Sequence, residues 1–208
     1  MSSSKKPTLY YVYDPMCSWC WGYKPIWEEI KLSVSNQVDI RYVLGGLAPD
    51  SDVPMPEEMQ QQIASYWKKI ENYLGTQFNY DFWRNNTPRR STYPACRALL
   101  AAREQGKEID MLTAIQHAYY LNALNPSDND ILEKLASDIG LNEEKFKSSL
   151  VSEQTHQSLL KEIGFARSIG GNSFPSLFIE NLGEVREIGI DYQNAQQTIQ
   201  SVLKSTQQ

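Results

Sequence analysis

Cys17 and Cys20 stand three positions apart in the segment Asp14, Pro15, Met16, Cys17, Ser18, Trp19, Cys20, Trp21, Gly22. Such a pair has two common uses, thiol-disulfide exchange and metal binding. A structural zinc wants four ligands, yet no second Cys-x-x-Cys and no closely spaced histidine pair is present, His117 and His156 lying far apart in the chain. Two buried, inert cysteines are the other plain alternative. Redox chemistry is favoured by the expected position of Cys17 at the start of a helix, where free backbone N–H groups and the positive end of the helix dipole stabilise a thiolate. Cys20, about one turn on, lies within reach of the Cys17 sulfur but deeper in the helix. Cys17 is therefore the candidate nucleophile and Cys20 the candidate resolving thiol, with no metal expected. Ser18 offers a hydroxyl and Trp19 no imidazolium, so a middling reduction potential is expected rather than a strongly oxidising one.

The flanking pattern supplies the strand and helix that this placement needs. Leu9 to Tyr13 is a short apolar and aromatic run, as for a central strand covered on both faces, stopped by Asp14 and Pro15. Ile26, Trp27, Ile30 and Val34 recur at helical spacing, and Val38, Ile40, Tyr42 and Leu44 then alternate with Asp39, Arg41 and Val43. The reading is strand, helix, strand, with the cysteines in the first loop, where open α/β sheets carry their chemistry. Gly, Pro, Asp and Ser from Gly45 to Pro56 mark an exit from the sheet. A helical block follows, with Ile109, Leu112, Ile115 and Tyr119 on one face and Ile131, Leu132, Leu135 and Ile139 on another, stopped at Gly140. Cys96, among Ala95, Ala98, Leu99 and Ala102, reads as a core thiol of that block, and His117 as structural or surface.

A long helix from about Ser152 should bury Leu159, Leu160, Ile163, Ala166 and Ile169 and stop at Gly170 and Gly171. Strands at Ser176 to Ile179 and Val185 to Ile188 flank a turn at Asn181 to Gly183, which makes them antiparallel, and Asp191 is the expected cap of a final helix bearing Ala195, Ile199, Val202 and Leu203. The expected domains are a split α/β unit, residues 1–48 and 152–208, and a helical unit, residues 49–151.

Composition narrows the class of protein. With 208 residues, 41% hydrophobic and 22% charged, the chain is long enough for a full core and lacks the bias of disordered or collagen-like sequences. A formal net charge of −5 argues against a general electrostatic grip on nucleic acid or anionic lipid. Leu9 to Tyr13 is too short for a signal-peptide core, and no apolar stretch approaches about 20 residues. The polar leader Met1 to Thr8 and the tail Lys204 to Gln208 carry no readable address. The expected compartment is the cytoplasm, or the periplasm if a leader has been removed.

Taken together, Asp14 to Gly22, the helical block after the second strand, and Gly170, Gly171, Asn172, Ser173, Phe174, Pro175 before the third resemble the DsbA-like branch of the thioredoxin-fold disulfide oxidoreductases, including its FrnE-like protein disulfide isomerases. The resemblance spans the whole chain and implies an α/β thioredoxin-like fold with a large helical insertion. It also implies a cis peptide bond before Pro175, facing the cysteines, with the backbone of Phe174 pairing with substrate beside Cys17, Ser18 and Trp19. The expected activity is thiol-disulfide exchange with protein or peptide disulfides through a redox-active Cys17–Cys20 disulfide, with no bound cofactor and with glutathione as a candidate electron donor. In a cytoplasm, reductase or isomerase work is favoured.

The Ser-Trp pair departs from the Pro-His and Gly-Pro pairs of better-known relatives, and the acidic residue that many members carry six positions before the first cysteine is Tyr11 here. The proton acceptor for Cys20 is thus unassigned, Asp14 reading as a turn residue. Two other functions share the architecture: glutathione-dependent transferases of the kappa class or 2-hydroxychromene-2-carboxylate isomerases, which Ser18 makes thinkable, and a non-catalytic holder of unfolded chains using Trp19, Trp21 and Phe174.

Overall fold

The computed structural model describes residues 6–207; the leader residues 1–5 and Gln208 lie outside them. In chain order the elements are β1 (Thr8–Tyr13), α1 (Ser18–Val34), β2 (Asp39–Leu44), α2 (Glu57–Leu74), α3 (Phe82–Asn85), α4 (Tyr93–Arg103), α5 (Glu108–Tyr120), α6 (Asn129–Asp138), α7 (Glu143–Leu150), α8 (Glu153–Ser168), β3 (Ser176–Asn181), β4 (Glu184–Ile188) and α9 (Ala195–Ser205). No described helix is long and apolar enough to cross a membrane.

The strands form one mixed sheet in the order β2-β1-β3-β4. β1 runs parallel to β2, with Tyr11 opposite Tyr42, and antiparallel to β3, with Tyr10 opposite Phe178. β3 and β4 close an antiparallel hairpin. β1 is thus central, and its alternation sends side chains into two cores. Leu9, Tyr11 and Tyr13 join Tyr23, Trp27 and Ile30 of α1 and Ile199 and Val202 of α9. Tyr10 and Val12 join Val43, Phe178 and Ala166, with Phe165 of α8 and Ile169 just after it packed on them. α8 therefore covers the second face of the sheet. That cover is why Val43, grouped in the sequence pattern with the outward-facing Asp39 and Arg41, is buried.

The helical region is organised around Trp67 of α2, which is fully buried. Its indole stacks on Phe78 at 5.0 Å and meets Tyr119 and Tyr120 of α5 edge-on. Gly140 occupies the left-handed position after α6 (φ 72°), and Gly170 does the same after α8 (φ 96°), as helix stops require.

Three expectations are corrected. Ile109 and Leu160 are exposed, because Met111, Leu112 and Ile115 carry the buried face of α5 and Leu159 and Ala166 that of α8. Asp191 does not cap α9. Its carboxylate accepts the Gln193 and Asn194 N–H groups in the preceding turn, while Asn194 is the cap and accepts from Gln196 N. Both are short polar residues able to bond a backbone two positions on, so pattern alone does not choose between them.

Candidate active site

The chain leaves the buried end of β1 through Asp14 and turns into α1 at Cys17. The Cys17 N–H donates to the Asp14 carbonyl at 3.1 Å, and the Cys17 carbonyl accepts from Trp21 N at 3.1 Å, opening the helix. Cys17 is the N-cap in extended conformation, with no side-chain cap of its own. The Asp14 carboxylate does more than make a turn. Oδ1 accepts from Met16 N at 2.8 Å, and Oδ2 accepts from Leu47 N and Thr92 Oγ1, each at 2.7 Å, with the Cys96 thiol at 3.5 Å. It ties the redox loop to the segment after β2 and to the start of α4. Burial raises its pKa, and these donors pull it back.

The three cysteines are free thiols. Cys17 and Cys20 are both buried, at 8% and 1% exposed respectively, so the first keeps slightly more access to solvent than the second. Their proton affinities separate accordingly. Hydrogen bonding from the Cys20 side chain pulls the Cys17 thiol below its ordinary value, helped by the Cys20 and Trp19 N–H groups and opposed by burial and the Asp14 charge. Burial first, then the neighbouring Cys17, pushes Cys20 well above its ordinary value. Cys96, fully buried beside Asp14, is also pushed well up, chiefly by burial. Cys96 is thus part of the wall behind Asp14, as expected of a core thiol.

Across from Cys17 the Phe174–Pro175 peptide bond is cis, and the Cys17 thiol donates to the Phe174 carbonyl oxygen at 3.5 Å. This loop is held by Arg167, whose guanidinium donates to the Gly45 carbonyl at 3.0 Å and to the Gly171 carbonyl and lies over the Phe174 ring at 5.3 Å. Gly45 leaves room for that ring: a Cβ there would fall 1.9 Å from Phe174 Cε1.

Beside Cys17 opens a cavity of about 420 Å³. Its floor includes Met16, Cys17, Ser18 and Trp19; Met59, Gln62, Ile63 and Tyr66 of α2 form one wall, Asn172 to Phe174 another, and Leu47, Arg90 and Tyr119 complete the lining. Pro175, buried, backs the loop rather than lining the cavity. A sulfur of lowered pKa thus faces a chamber of small-molecule size with backbone acceptors at one side.

A family model described as thioredoxin matches residues 10–201. The chain belongs to the thioredoxin family. Among solved structures, a candidate protein disulfide isomerase from Nitrosomonas europaea is 29% identical, with a TM-score of 0.85 over 98% of both chains. The cytosolic disulfide reductase DsbM from Pseudomonas aeruginosa shares the fold, at 24% identity and a TM-score of 0.77 over 96% of this chain and 98% of that one. Among curated relatives, the ClpXP adapter protein SpxH of Halalkalibacterium halodurans is 25% identical over 86% of this chain and 61% of its own length. The chain spans about three fifths of the length of the SpxH relatives that it matches. The fold is the DsbA-like form of the thioredoxin fold.

Within this thioredoxin-family frame, the residues singled out from sequence converge: Cys17, Ser18, Trp19 and Phe174 line one cavity, and Cys20 lies beneath it. The Ser18 hydroxyl has its partner outside the redox loop. It accepts from Trp67 Nε1 at 2.9 Å, which couples the redox loop to the aromatic cluster of the helices. Trp19 meets Tyr192 edge-on at 5.0 Å, and Trp21 stacks on Tyr120 at 5.5 Å while its Nε1 donates to Gln77 O at 3.0 Å. Trp21 is therefore an anchor of α1 and lies outside the Cys17 cavity. Sequence reasoning missed Gly45, Trp67, Arg90 and Arg167, all distant from the cysteines along the chain. Only Gly45, opening a Gly-Gly pair after β2, carried a local signal.

Proposed function

We propose that the chain is a thiol-disulfide oxidoreductase acting on protein or peptide disulfides, with Cys17 attacking and Cys20 resolving. The observation that carries this reading is the division of the pair: Cys17 borders the cavity with its thiol pKa lowered, while Cys20 is buried with its pKa raised. The Cys17 thiolate attacks one sulfur of a substrate disulfide, forming a mixed disulfide and releasing the other sulfur as thiolate. Cys20 then loses its proton and attacks Cys17 Sγ, releasing the second substrate thiolate and closing the Cys17–Cys20 disulfide. Two electrons pass from enzyme to substrate, and the two cysteine protons go to the released thiolates by way of solvent. A thiol such as glutathione would restore the dithiol by the reverse exchange. In a reducing cytoplasm the work is reduction or isomerisation. The DsbM structure also exists with GSH, which suits that donor.

Insulin reduction tests the reading. Wild-type protein should accelerate precipitation of the insulin B chain, and Cys17→Ser should remove the acceleration; full activity in that variant overturns it. A second reading, adapter work on a Clp-type protease, is favoured by the SpxH relatives. It predicts a stable complex with the unfoldase component that survives replacement of both Cys17 and Cys20 by serine.

A further inference from the structure

Arg90 differs from every other arginine of the chain. Arg84, Arg89, Arg97 and Arg186 pair with Asp81, Asp128, Asp50 and Glu184 respectively. Arg103 bridges Glu108 and Glu162, Arg167 binds two backbone carbonyls, and Arg41 lies over the Phe165 ring. Arg90 has no hydrogen-bond or ion-pair partner among the described residues, and it is the sole charged residue lining the Cys17 cavity. Its backbone is nonetheless well anchored. Arg89 donates to Ser127 O and Asp128, Ser91 O accepts from Ser127 Oγ at 2.7 Å, and Ser91 Oγ accepts from Ser51 N at 3.2 Å. Two fixed neighbours therefore hold a guanidinium without a protein partner on the lining of a chamber of mixed polarity. Tyr119, on the same lining, lies within the electrostatic reach of both Arg90 and Cys17.

A guanidinium held this way recognises a carboxylate in two-pronged geometry. Resting on the oxidoreductase reading above, we propose that Arg90 is a specificity-determining residue that selects low-molecular-weight thiols and disulfides bearing a carboxylate. The cavity of about 420 Å³ favours such a molecule over a folded protein surface, since it falls in the range of small-ligand pockets and α2 walls one side. The carboxylate of the bound disulfide docks on Arg90 while one of its sulfurs meets Cys17. Exchange then follows the two steps already given, the enzyme dithiol supplying both electrons.

The test is a single-turnover measurement on pre-reduced, desalted protein, following tryptophan fluorescence with two disulfides: glutathione disulfide, which is anionic, and hydroxyethyl disulfide, which is neutral. The readout is the ratio of the two second-order rate constants. Arg90→Gln should lower this ratio by about tenfold, the equivalent of one charge-assisted hydrogen bond, and Arg90→Glu should lower it further. Arg90→Lys should keep most of it, and added salt should erode it in the wild type. An equal ratio in wild type, Arg90→Gln and Arg90→Glu overturns the inference and leaves the oxidoreductase reading standing. A wild type that reacts with neither disulfide overturns both. A loss seen with an acidic peptide disulfide but not with glutathione disulfide overturns the small-molecule assignment. Arg90 is exposed, so the variants should fold, and unchanged circular dichroism confirms it.

Discussion

The Cys17 thiol donates to the Phe174 carbonyl oxygen across 3.5 Å, a bond that lasts only while Cys17 keeps its proton. When Cys17 ionises or enters a mixed disulfide, it has no hydrogen to give, and the Phe174 carbonyl becomes a free acceptor beside the reacting sulfur. An extended substrate segment could then take that acceptor with a backbone N–H. The nucleophile and the substrate-pairing loop are thus linked through one proton.

Replacing Cys20 by serine should leave the first exchange intact and stop the second. Cys17 then holds its substrate as a mixed disulfide, because the resolving sulfur sat one helical turn away. Loss of that intramolecular attack should lengthen the adduct's lifetime by about 100-fold or more, given the effective molarity of a neighbouring nucleophile. Intact-mass measurement after mixing with glutathione disulfide reads the adduct directly. Equal lifetimes in wild type and Cys20→Ser would deny Cys20 its role.

The pH dependence of alkylation should separate the two thiols. Cys17 should react with iodoacetamide along a titration curve whose midpoint lies below that of an unperturbed cysteine, while Cys20, pushed well up by burial, stays protonated and silent. The Asp14 charge raises both thiols, so Asp14→Asn should move the Cys17 midpoint to lower pH. The same change puts an NH₂ group against N–H and O–H donors and should lower stability at neutral pH by about 1–3 kcal/mol. Cys20 contributes to stability in the opposite pH range from Cys17. Its share is complete below the ordinary cysteine value and lost as pH rises toward the raised one, whereas that of Cys17 is lost as pH falls through its lowered value. A midpoint that rises in Asp14→Asn would contradict the electrostatic account.

Gly45→Ala should displace the Phe174 ring, because the new methyl group would sit 1.9 Å from Phe174 Cε1. Overpacking of this kind costs about 1–3 kcal/mol. The Phe174 carbonyl belongs to the same residue, so insulin reduction should fall along with the midpoint of urea denaturation. Alanine at Gly189, where a Cβ meets nothing within 4 Å and φ, as at Gly45, is not positive, is the control for the backbone effect of losing a glycine.

Trp67→Phe retains an aromatic ring in the helical core but removes the Nε1 donor to Ser18. Stability should drop by about 1–3 kcal/mol, from lost volume and from the unpaired Ser18 hydroxyl. Cys17 alkylation at fixed pH should change as well if Trp67 holds the loop as described, and a stability loss with identical reactivity would confine Trp67 to packing.

Much of the framework was legible because it is local. The apolar run Leu9 to Tyr13 marks a central strand, and its two faces are both covered, by α1 and α9 on one side and α8 on the other. Gly140 and Gly170 stop their helices because a left-handed residue is needed there. The errors fall where two local signals compete. Asp191 and Asn194 are equally good caps in isolation, and only the turn that Asp191 stabilises decides which one starts α9. Ile109 and Leu160 fit a helical period, yet each stands at the edge of an apolar stripe whose centre other residues occupy.

By itself, the sequence determined the chemistry available: two thiols one helical turn apart, placed where a strand passes into a helix, with a proline-bearing loop before a later strand. Backbone geometry alone puts Cys17 at the start of the helix and Cys20 a turn further along it. Which groups surround those sulfurs was decided only by the tertiary structure. Leu47, Thr92 and Cys96 meet on the Asp14 carboxylate, Trp67 reaches Ser18, and Gly45 and Arg167 seat Phe174, through contacts between segments far apart in the chain. The physical reason is that a pKa depends on burial and on the charges and donors within a few ångströms, whatever their distance in sequence. The same holds for Arg90, an ordinary basic residue in the chain and an unpaired cation on the lining of the Cys17 cavity once folded.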